Sequence, residues 1–289
     1  MYKCGITGAT GILGSHIVKN IKFNFIIFKG DITKKKLVDN WIKSNNFDFI
    51  IHLAAIVPTR GVEKDYKYAK QVNYNGTKNI VDSLVKHQRK PKNVFFASTS
   101  HVYKIRKKFL KIDENQKVEP YSKYGKTKLL AENYLKKKLK KKNINYCIGR
   151  IFSYTSPEQD KSFLTPGLFY KIKKSKKKTI TFKGLKHVRD FLSISDITNA
   201  IRILCIKKRT GIYNIGSGKA RTFLEVAKII KNLTNADIQY IDFPKHLEGK
   251  YQNYTCSDNG KINKVAKQKS RFSLEEGIRN VAITKGYIY

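Results

Sequence analysis

Residues 3–14 read Lys3-Cys4-Gly5-Ile6-Thr7-Gly8-Ala9-Thr10-Gly11-Ile12-Leu13-Gly14, and Ser15 to Ile21 continue in helical register. Lys3–Thr7 has the composition of a short buried strand, so Gly8-x-x-Gly11-x-x-Gly14 falls in the turn between a strand and a helix. In such a turn the first glycine permits the tight bend, the second lets backbone approach a ligand, and the third lets the helix pack closely on the strand. The helix start adds unpaired N–H groups and the positive end of the helix dipole. The stretch therefore predicts a phosphate-binding turn that opens a Rossmann-like unit.

The pattern repeats outward from this turn. Strand-like runs at Phe25–Phe28, Phe49–Leu53, Val94–Ser98 and Tyr146–Ile151 are separated by helical patterns around 34–44, 74–87 and 124–140. Strands that alternate with helices specify an α/β, doubly wound parallel sheet. Beyond about residue 155 the pattern is less regular, with helical stretches at 165–174, 195–207 and 222–233. The expected organisation is a first domain over 1–155 and a smaller substrate-binding lobe over 156–289, with the chain crossing back to the first domain near 185–200.

Composition bounds the function. The chain has 289 residues, 60 of them Lys or Arg against 21 Asp or Glu, a formal charge of +39, yet 40% hydrophobic residues suffice for a core. No apolar run nears the roughly 20 residues of a membrane span, and Met1-Tyr2-Lys3 leads straight into the first strand, so a cytoplasmic protein without a membrane partner is expected. Cys4, Cys147, Cys205 and Cys256 form no CxxC pair; neither a metal site nor a disulfide framework is expected. The lysines lie along most of the chain, including Lys34–Lys36, Lys136–Lys142 and Lys173–Lys178, without interleaved aromatics. Solvated faces are therefore expected ahead of a nucleic-acid surface.

Two further segments carry chemistry. Tyr124-Gly125-Lys126-Thr127-Lys128 places a tyrosine and a lysine at i and i+4 on one helix face. A phenol with an ordinary pKa near 10 is a poor base at neutral pH, and a neighbouring ammonium favours its phenolate. About two dozen residues earlier, Ser98-Thr99-Ser100-His101-Val102-Tyr103 follows a strand and supplies hydroxyls.

Together these motifs resemble the extended short-chain dehydrogenase/reductase family, whose fingerprint is Thr-Gly-x-x-Gly-x-x-Gly. The resemblance extends through Gly30-Asp31-Ile32-Thr33, His52-Leu53-Ala54-Ala55, Asn73-x-x-Gly76-Thr77, Arg189-Asp190-Phe191, Tyr213–Gly218 and Ser273–Gly277. It implies a nicotinamide cofactor held by Gly8, Thr10, Gly11, Ile12, Leu13 and Gly14, with Asp31 on the adenine and Ile32, Leu53, Ala54 and Ala55 lining the site. Asn73 would brace the active-site helix. Tyr124 would be the acid/base, Lys128 would lower its pKa and hold the nicotinamide ribose, and Thr99 would bind the substrate oxygen. Only about ten residues separate Ile21 from Asp31, so the second strand runs directly into Gly30-Asp31 and leaves little room for an acidic residue to clasp a ribose hydroxyl. Lys29, with Lys34–Lys36 nearby, suits a 2′-phosphate instead. NADP(H) is thus expected ahead of NAD(H).

The second half is similar to one branch of that family, the ADP-glycero-manno-heptose 6-epimerases, through Gly211–Ala220 and Phe243-Pro244-x-x-Leu247-x-Gly249-Lys250-Tyr251-Gln252. This implies a nucleotide-diphosphate sugar as substrate, with Arg189 and Tyr251 on the diphosphate or sugar and Ser153 where the family carries Asn. Lys161 would match, with a one-residue gap, the second lysine of that branch. Ser100-His101 stands where 4,6-dehydratases of the family carry Asp-Glu, which argues against dehydration; His101 itself reads as a satisfied, partly buried histidine ahead of a substrate contact. The expected activity is epimerisation through a transient keto-sugar. The alternative is an NADPH-dependent nucleotide-4-keto-6-deoxysugar reductase. The intact Thr99, Tyr124 and Lys128 argue against a third reading, a non-catalytic NAD(P)- or nucleic-acid-binding protein. The family also implies a homodimer.

Overall fold

The computed structural model describes residues 1–57, 61–62, 65–104, 110–175, 179–184, 186–241, 253–266 and 273–288. Six parallel strands form the central sheet: β1 (Lys3–Thr7), β2 (Asn24–Ile27), β3 (Phe49–His52), β4 (Asn93–Thr99), β5 (Tyr146–Ile151) and β9 (Gly211–Ile215), in the order β2-β1-β3-β4-β5-β9. Helix α1 (Ile12–Asn20) links β1 to β2, α2 (Lys35–Lys43) links β2 to β3, α4 (Gly76–Lys86) leads to β4, and α5 (Lys123–Lys141) leads to β5.

The alternation of side chains along these strands builds two separate cores. Phe49, Ile51, Phe95 and Cys147 face one side with Cys4 and Ile6, against Ile17 of α1 and Ile197, Ile201 and Leu204 of α7 (Ile194–Ile206). Their neighbours Ile50, Val94, Phe96 and Ile148 face the other side, against Val38 and Ile42 of α2, Ile80, Val81 and Leu84 of α4, and Leu135 and Leu139 of α5. Full burial of each large aliphatic chain contributes roughly 1.5–3 kcal/mol, so this two-faced pattern is what commits the sequence to a three-layer arrangement. The strand order explains the short spacing before Asp31. The chain turns from β2 directly into α2 and back to β3, so β2 is an edge strand, and among the described residues no further strand lies outside it.

After β5 the chain forms smaller units. A three-stranded sheet joins β6 (Ser153–Thr155), β8 (Val188–Ser193) and β10 (Ala220–Thr222), and a two-stranded parallel sheet joins β7 (Thr179–Lys183) and β11 (Asp237–Ile241). Around them, α6 (Leu164–Lys174), α8 (Phe223–Thr234) and α10 (Leu274–Thr284) share a third core that includes Phe169, Val226, Ile230, Ile278 and Val281. The chain returns to the main core through Leu192, α7 and β9, and again through Ile262 and Val265 of α9 (Gly260–Ala266). This return is longer than the 185–200 stretch that the sequence pattern marks. The helix expected over 74–87 is preceded by α3 (Tyr66–Lys70) and a π-helical turn, Gln71–Asn75. All four cysteines are buried and free. Among the described residues no helix is long and apolar enough to cross a membrane.

Candidate functional site

A cleft of about 470 Å³ opens at the carboxyl ends of β1, β3, β4 and β5. At one end lies the glycine turn. Gly8 has φ +73°, and a Cβ there would stand 2.7 Å from Ala54 N; a Cβ on Gly14 would stand 2.1 Å from Gly8 O. The turn is thus pressed between β3 and the first turn of α1, a closeness that only glycine allows. Gly11 caps α1 without a side chain, its own N–H donating to Gly8 O at 3.1 Å, and the first turn holds no acidic residue. The leading N–H groups of α1 are therefore left to face a ligand with no competing carboxylate. Gly8, Gly11, Ile12, Leu13, Gly14, Leu53 and Ala55 line the cleft together.

The other expected cofactor residues lie around this turn rather than in the cleft wall. Thr10 is exposed, and Ala54 donates its N–H to Thr7 Oγ1 at 3.3 Å. Ile32 is buried against Gly76, where a Cβ would come within 2.8 Å of it. Lys29 and Asp31 are exposed just past the carboxyl end of β2, beside the end of β1, and Asp31 Oδ1 accepts from Thr33 N and Oγ1, both at 2.8 Å. Those bonds hold the Asp31 carboxyl below its ordinary pKa.

A buried relay stiffens the wall. Thr77 Oγ1 donates to Asn73 O at 2.8 Å, so it accepts from His52 Nε2 at 2.9 Å, which leaves His52 Nδ1 to accept from Thr7 Oγ1 at 2.6 Å. Every polar atom of the His52 ring is satisfied in the neutral form, and burial, with Lys128 nearby, lowers its pKa to about 3. Asn73, in the π-helical turn, accepts from Ile56 N at 2.7 Å and donates to Ile56 O and to Thr127 Oγ1, each at 3.0 Å. It thereby ties the loop after β3 to α5.

At the other end of the cleft Thr99, Tyr124 and Lys128 converge. Ser122 caps α5 by accepting from Gly125 N at 3.0 Å, and a Cβ on Gly125 would lie 2.3 Å from His101 O, so the helix start abuts the end of β4. Burial raises the Tyr124 pKa, a rise that Tyr154 reinforces and a hydrogen bond with Thr99 opposes. Burial drives Lys128 down to about 7, with Glu132 opposing. The Lys128 ammonium stands 4.2 Å from the centroid of the Phe96 ring. In this form of the site the phenol keeps its proton; a positive charge brought beside it is what would release the phenolate. His101 lines the cleft with its ring edge-on to Tyr124, centroids 5.8 Å apart; burial, with Arg189 nearby, lowers its pKa to about 4.

Ser153 and Arg189 also line the cleft, Arg189 with its guanidinium 5.3 Å from the Phe223 ring centroid. Arg189 is set in place by its neighbour: buried Asp190 accepts from Ser217, Gly218 and Ser257, and so binds β8 to the Gly216–Gly218 turn. Lys161 is exposed, with Nζ 4.6 Å from the Tyr170 ring centroid, and lies in the chain between Gln159 and Ser162, which line the cleft. Tyr251 lies outside the described residues. The far wall contains Tyr154, Gln159, Ser162, Phe163, Thr165, Phe191 and Phe223, none singled out from sequence. Only Phe191 sat in a quoted motif, directly after Arg189-Asp190. Among the described residues no cluster of His, Cys, Asp or Glu could hold a metal ion.

The chain is 29% identical to ADP-L-glycero-D-manno-heptose-6-epimerase of Brachyspira hyodysenteriae over 312 aligned positions, covering 96% of each chain. Its fold matches RMD of Pseudomonas aeruginosa complexed with NADPH at a TM-score of 0.86, with 18% identity over 98% of this chain and 99% of that one. It also matches the UDP-glucose 4-epimerase of Thermus thermophilus in complex with NAD at a TM-score of 0.81, with 20% identity over 98% and 99% of the two chains. The model of the NAD dependent epimerase/dehydratase family matches residues 4–216, from β1 and its glycine turn through Tyr124 and Lys128 to the end of β9. The chain therefore belongs to the NAD dependent epimerase/dehydratase family.

Proposed function

We propose that this protein is an NAD(P)-dependent nucleotide-sugar epimerase that works through a transient keto-sugar. The observation that carries the proposal is the meeting of Thr99, Tyr124 and Lys128 in the same cleft as the uncapped glycine turn. A bound nicotinamide supplies reversible hydride transfer and, when oxidised, a positive charge. The chain's own residues do the rest. Tyr124 takes the proton from a sugar hydroxyl and later returns it, Thr99 hydrogen-bonds the same oxygen, and Lys128 stabilises the phenolate and holds the nicotinamide ribose. Arg189, Ser153 and Tyr251 hold the diphosphate and sugar. Epimerisation follows when the ketone accepts hydride on its opposite face. The heptose epimerase named above, similar over nearly the whole chain, supports this reading.

NADP(H) is the preferred cofactor in this proposal, since Lys29 is exposed at the end of edge strand β2 and Asp31 is engaged by Thr33. We also propose the two-lobe division near residue 155, with the substrate lobe supplying the far wall of the cleft, and a cytoplasmic homodimer.

The second reading, a nucleotide-4-keto-6-deoxysugar reductase, would use the same Thr99, Tyr124 and Lys128 with the ketone supplied as substrate. A panel of nucleotide sugars and their 4-keto derivatives, each offered with NADH and NADPH, separates the two. The epimerase converts a sugar with no net cofactor oxidation. Stoichiometric oxidation of NADPH by a 4-keto sugar, with no epimer formed from any parent sugar, would establish the reductase instead.

A further inference from the structure

Beneath the Tyr124 end of the cleft lies a line of buried polar groups to which no ligand-binding role has been given. Ser98 Oγ donates to Glu132 Oε1. Arg150 of β5 donates from Nε to Glu132 Oε1 at 3.1 Å and from Nη2 to Oε2 at 2.7 Å, with side-chain exposures of 2% and 0%. The Arg150 guanidinium lies 4.7 Å from the Tyr103 ring centroid; Tyr103 Oη donates to Asn214 Oδ1 at 2.6 Å, and Asn214 Nδ2 donates to Ile112 O at 2.7 Å. The line thus joins β4, α5, β5, β9 and the segment before α5.

Fold stability is a poor reason for such a network. Desolvation of a buried ion pair roughly cancels its Coulomb attraction, and apolar side chains of similar volume in its place are often neutral or stabilising. Position supplies a better one. Ser98 directly precedes Thr99, and Glu132 is one helical turn beyond Lys128, so the Ser98–Glu132 bond sets where the end of β4 stands against α5. The bidentate fork of Arg150 fixes the direction of the Glu132 carboxylate. Resting on the catalytic reading above, we propose that Glu132 and Arg150, acting through Ser98, are positioning residues that hold Thr99 in register with Tyr124 and Lys128.

Electrostatics act in the same sense, because Glu132 opposes the loss of the Lys128 proton that burial imposes. The other groups that face Tyr124 and Lys128 are Thr99 and His101 at the end of β4, Tyr154 from β6, and His52 from β3, which is neutral. The substitutions that test the network replace none of these side chains.

The test needs no knowledge of the substrate. Tyrosine ionisation is followed by ultraviolet difference spectroscopy in protein saturated with NADP⁺, and separately with NAD⁺, each time subtracting the same protein carrying Tyr124→Phe. The triple variant Ser98→Ala, Glu132→Leu, Arg150→Met is expected to fold with a Tm no lower than wild type, and its Tyr124 midpoint to rise by about one pH unit, a tenfold change in ionisation constant. Ser98→Ala alone, which leaves the ion pair intact, is expected to shift the midpoint in the same direction. An unchanged midpoint in the triple variant overturns the proposal; should that variant not fold, an unchanged midpoint in Ser98→Ala overturns it. If wild type shows no Tyr124-dependent transition, the catalytic reading fails, and the positioning proposal falls with it.

Discussion

Replacing Lys128 with Met is expected to stabilise the protein while destroying its activity. The lysine is 1% exposed, and burial drives its pKa from 10.5 to about 7, with Glu132 opposing. Its folded pKa lies below its unfolded one, so between about pH 7 and pH 10.5 the unfolded chain binds a proton that the folded chain does not. The stability associated with Lys128 is therefore fully present above the upper pH and is lost as pH falls through the lower one. A shift of this size corresponds to about 5 kcal/mol of cost at neutral pH. Effective desolvation costs in folded proteins run below that figure once the surroundings relax, so the realised gain on substitution is smaller, about 2–4 kcal/mol. The Met side chain keeps the length of the lysine stem and its contact with the Phe96 ring. Urea denaturation at about pH 6.5 and about pH 9.5 reads the effect: the variant should be more stable at the lower pH, and its advantage should shrink to about a third at the higher one. Turnover should fall at least about a hundredfold, on the order of what a positioned acid–base group contributes. A variant no more stable than wild type at the lower pH, or an advantage unchanged between the two, refutes the reasoning.

Gly14→Ala would place a Cβ 2.1 Å from Gly8 O; calorimetric titration should show cofactor affinity reduced more than about tenfold, and stability should drop by about 1–3 kcal/mol from overpacking. His52 is held neutral with its pKa lowered to about 3, so the unfolded chain gains a proton below about pH 6.5 that the folded one refuses. Stability should fall by about 3 kcal/mol between pH 7 and pH 4.5 on this account, and His52→Gln should flatten that part of the denaturation profile. Lys29→Glu should lower the ratio of NADP(H) to NAD(H) affinity at least about tenfold, measured by cofactor titration, because a carboxylate beside a 2′-phosphate repels it and beside a 2′-hydroxyl accepts from it.

The parts of the fold that sequence revealed are those whose residues report a local rule. Strands β1, β3, β4 and β5 alternate between two buried faces, so their apolar runs are dense, and the helices between them carry regular apolar stripes. Strands β6 and β10 are three residues long, too short for any period to register. Helix α7 reads like any amphipathic helix; its pattern does not say which side chains of the main sheet Ile197 and Leu204 meet, here in one core with Cys4 and Ile6. The same division holds at the site. Gly8, Gly14, Tyr124 and Lys128 were legible because their spacing carries a geometric requirement. Glu132 and Arg150 were not, since 18 positions separate them and only the adjacency of α5 and β5 brings them together. Lys161 was suggested by likeness alone, in a chain where lysine is abundant, and its contact with Tyr170 answers to local packing.

In the proposed function Thr99, Tyr124 and Lys128 act on a nucleotide sugar held against a nicotinamide bound at Gly8–Gly14. The most direct test is the rate of nucleotide-sugar interconversion by wild type and by Tyr124→Phe, with cofactor binding measured on both. The account predicts interconversion by wild type without net cofactor oxidation, and a rate at least about a hundredfold lower in the variant, whose cofactor Kd is unchanged. An undiminished rate in Tyr124→Phe would contradict it.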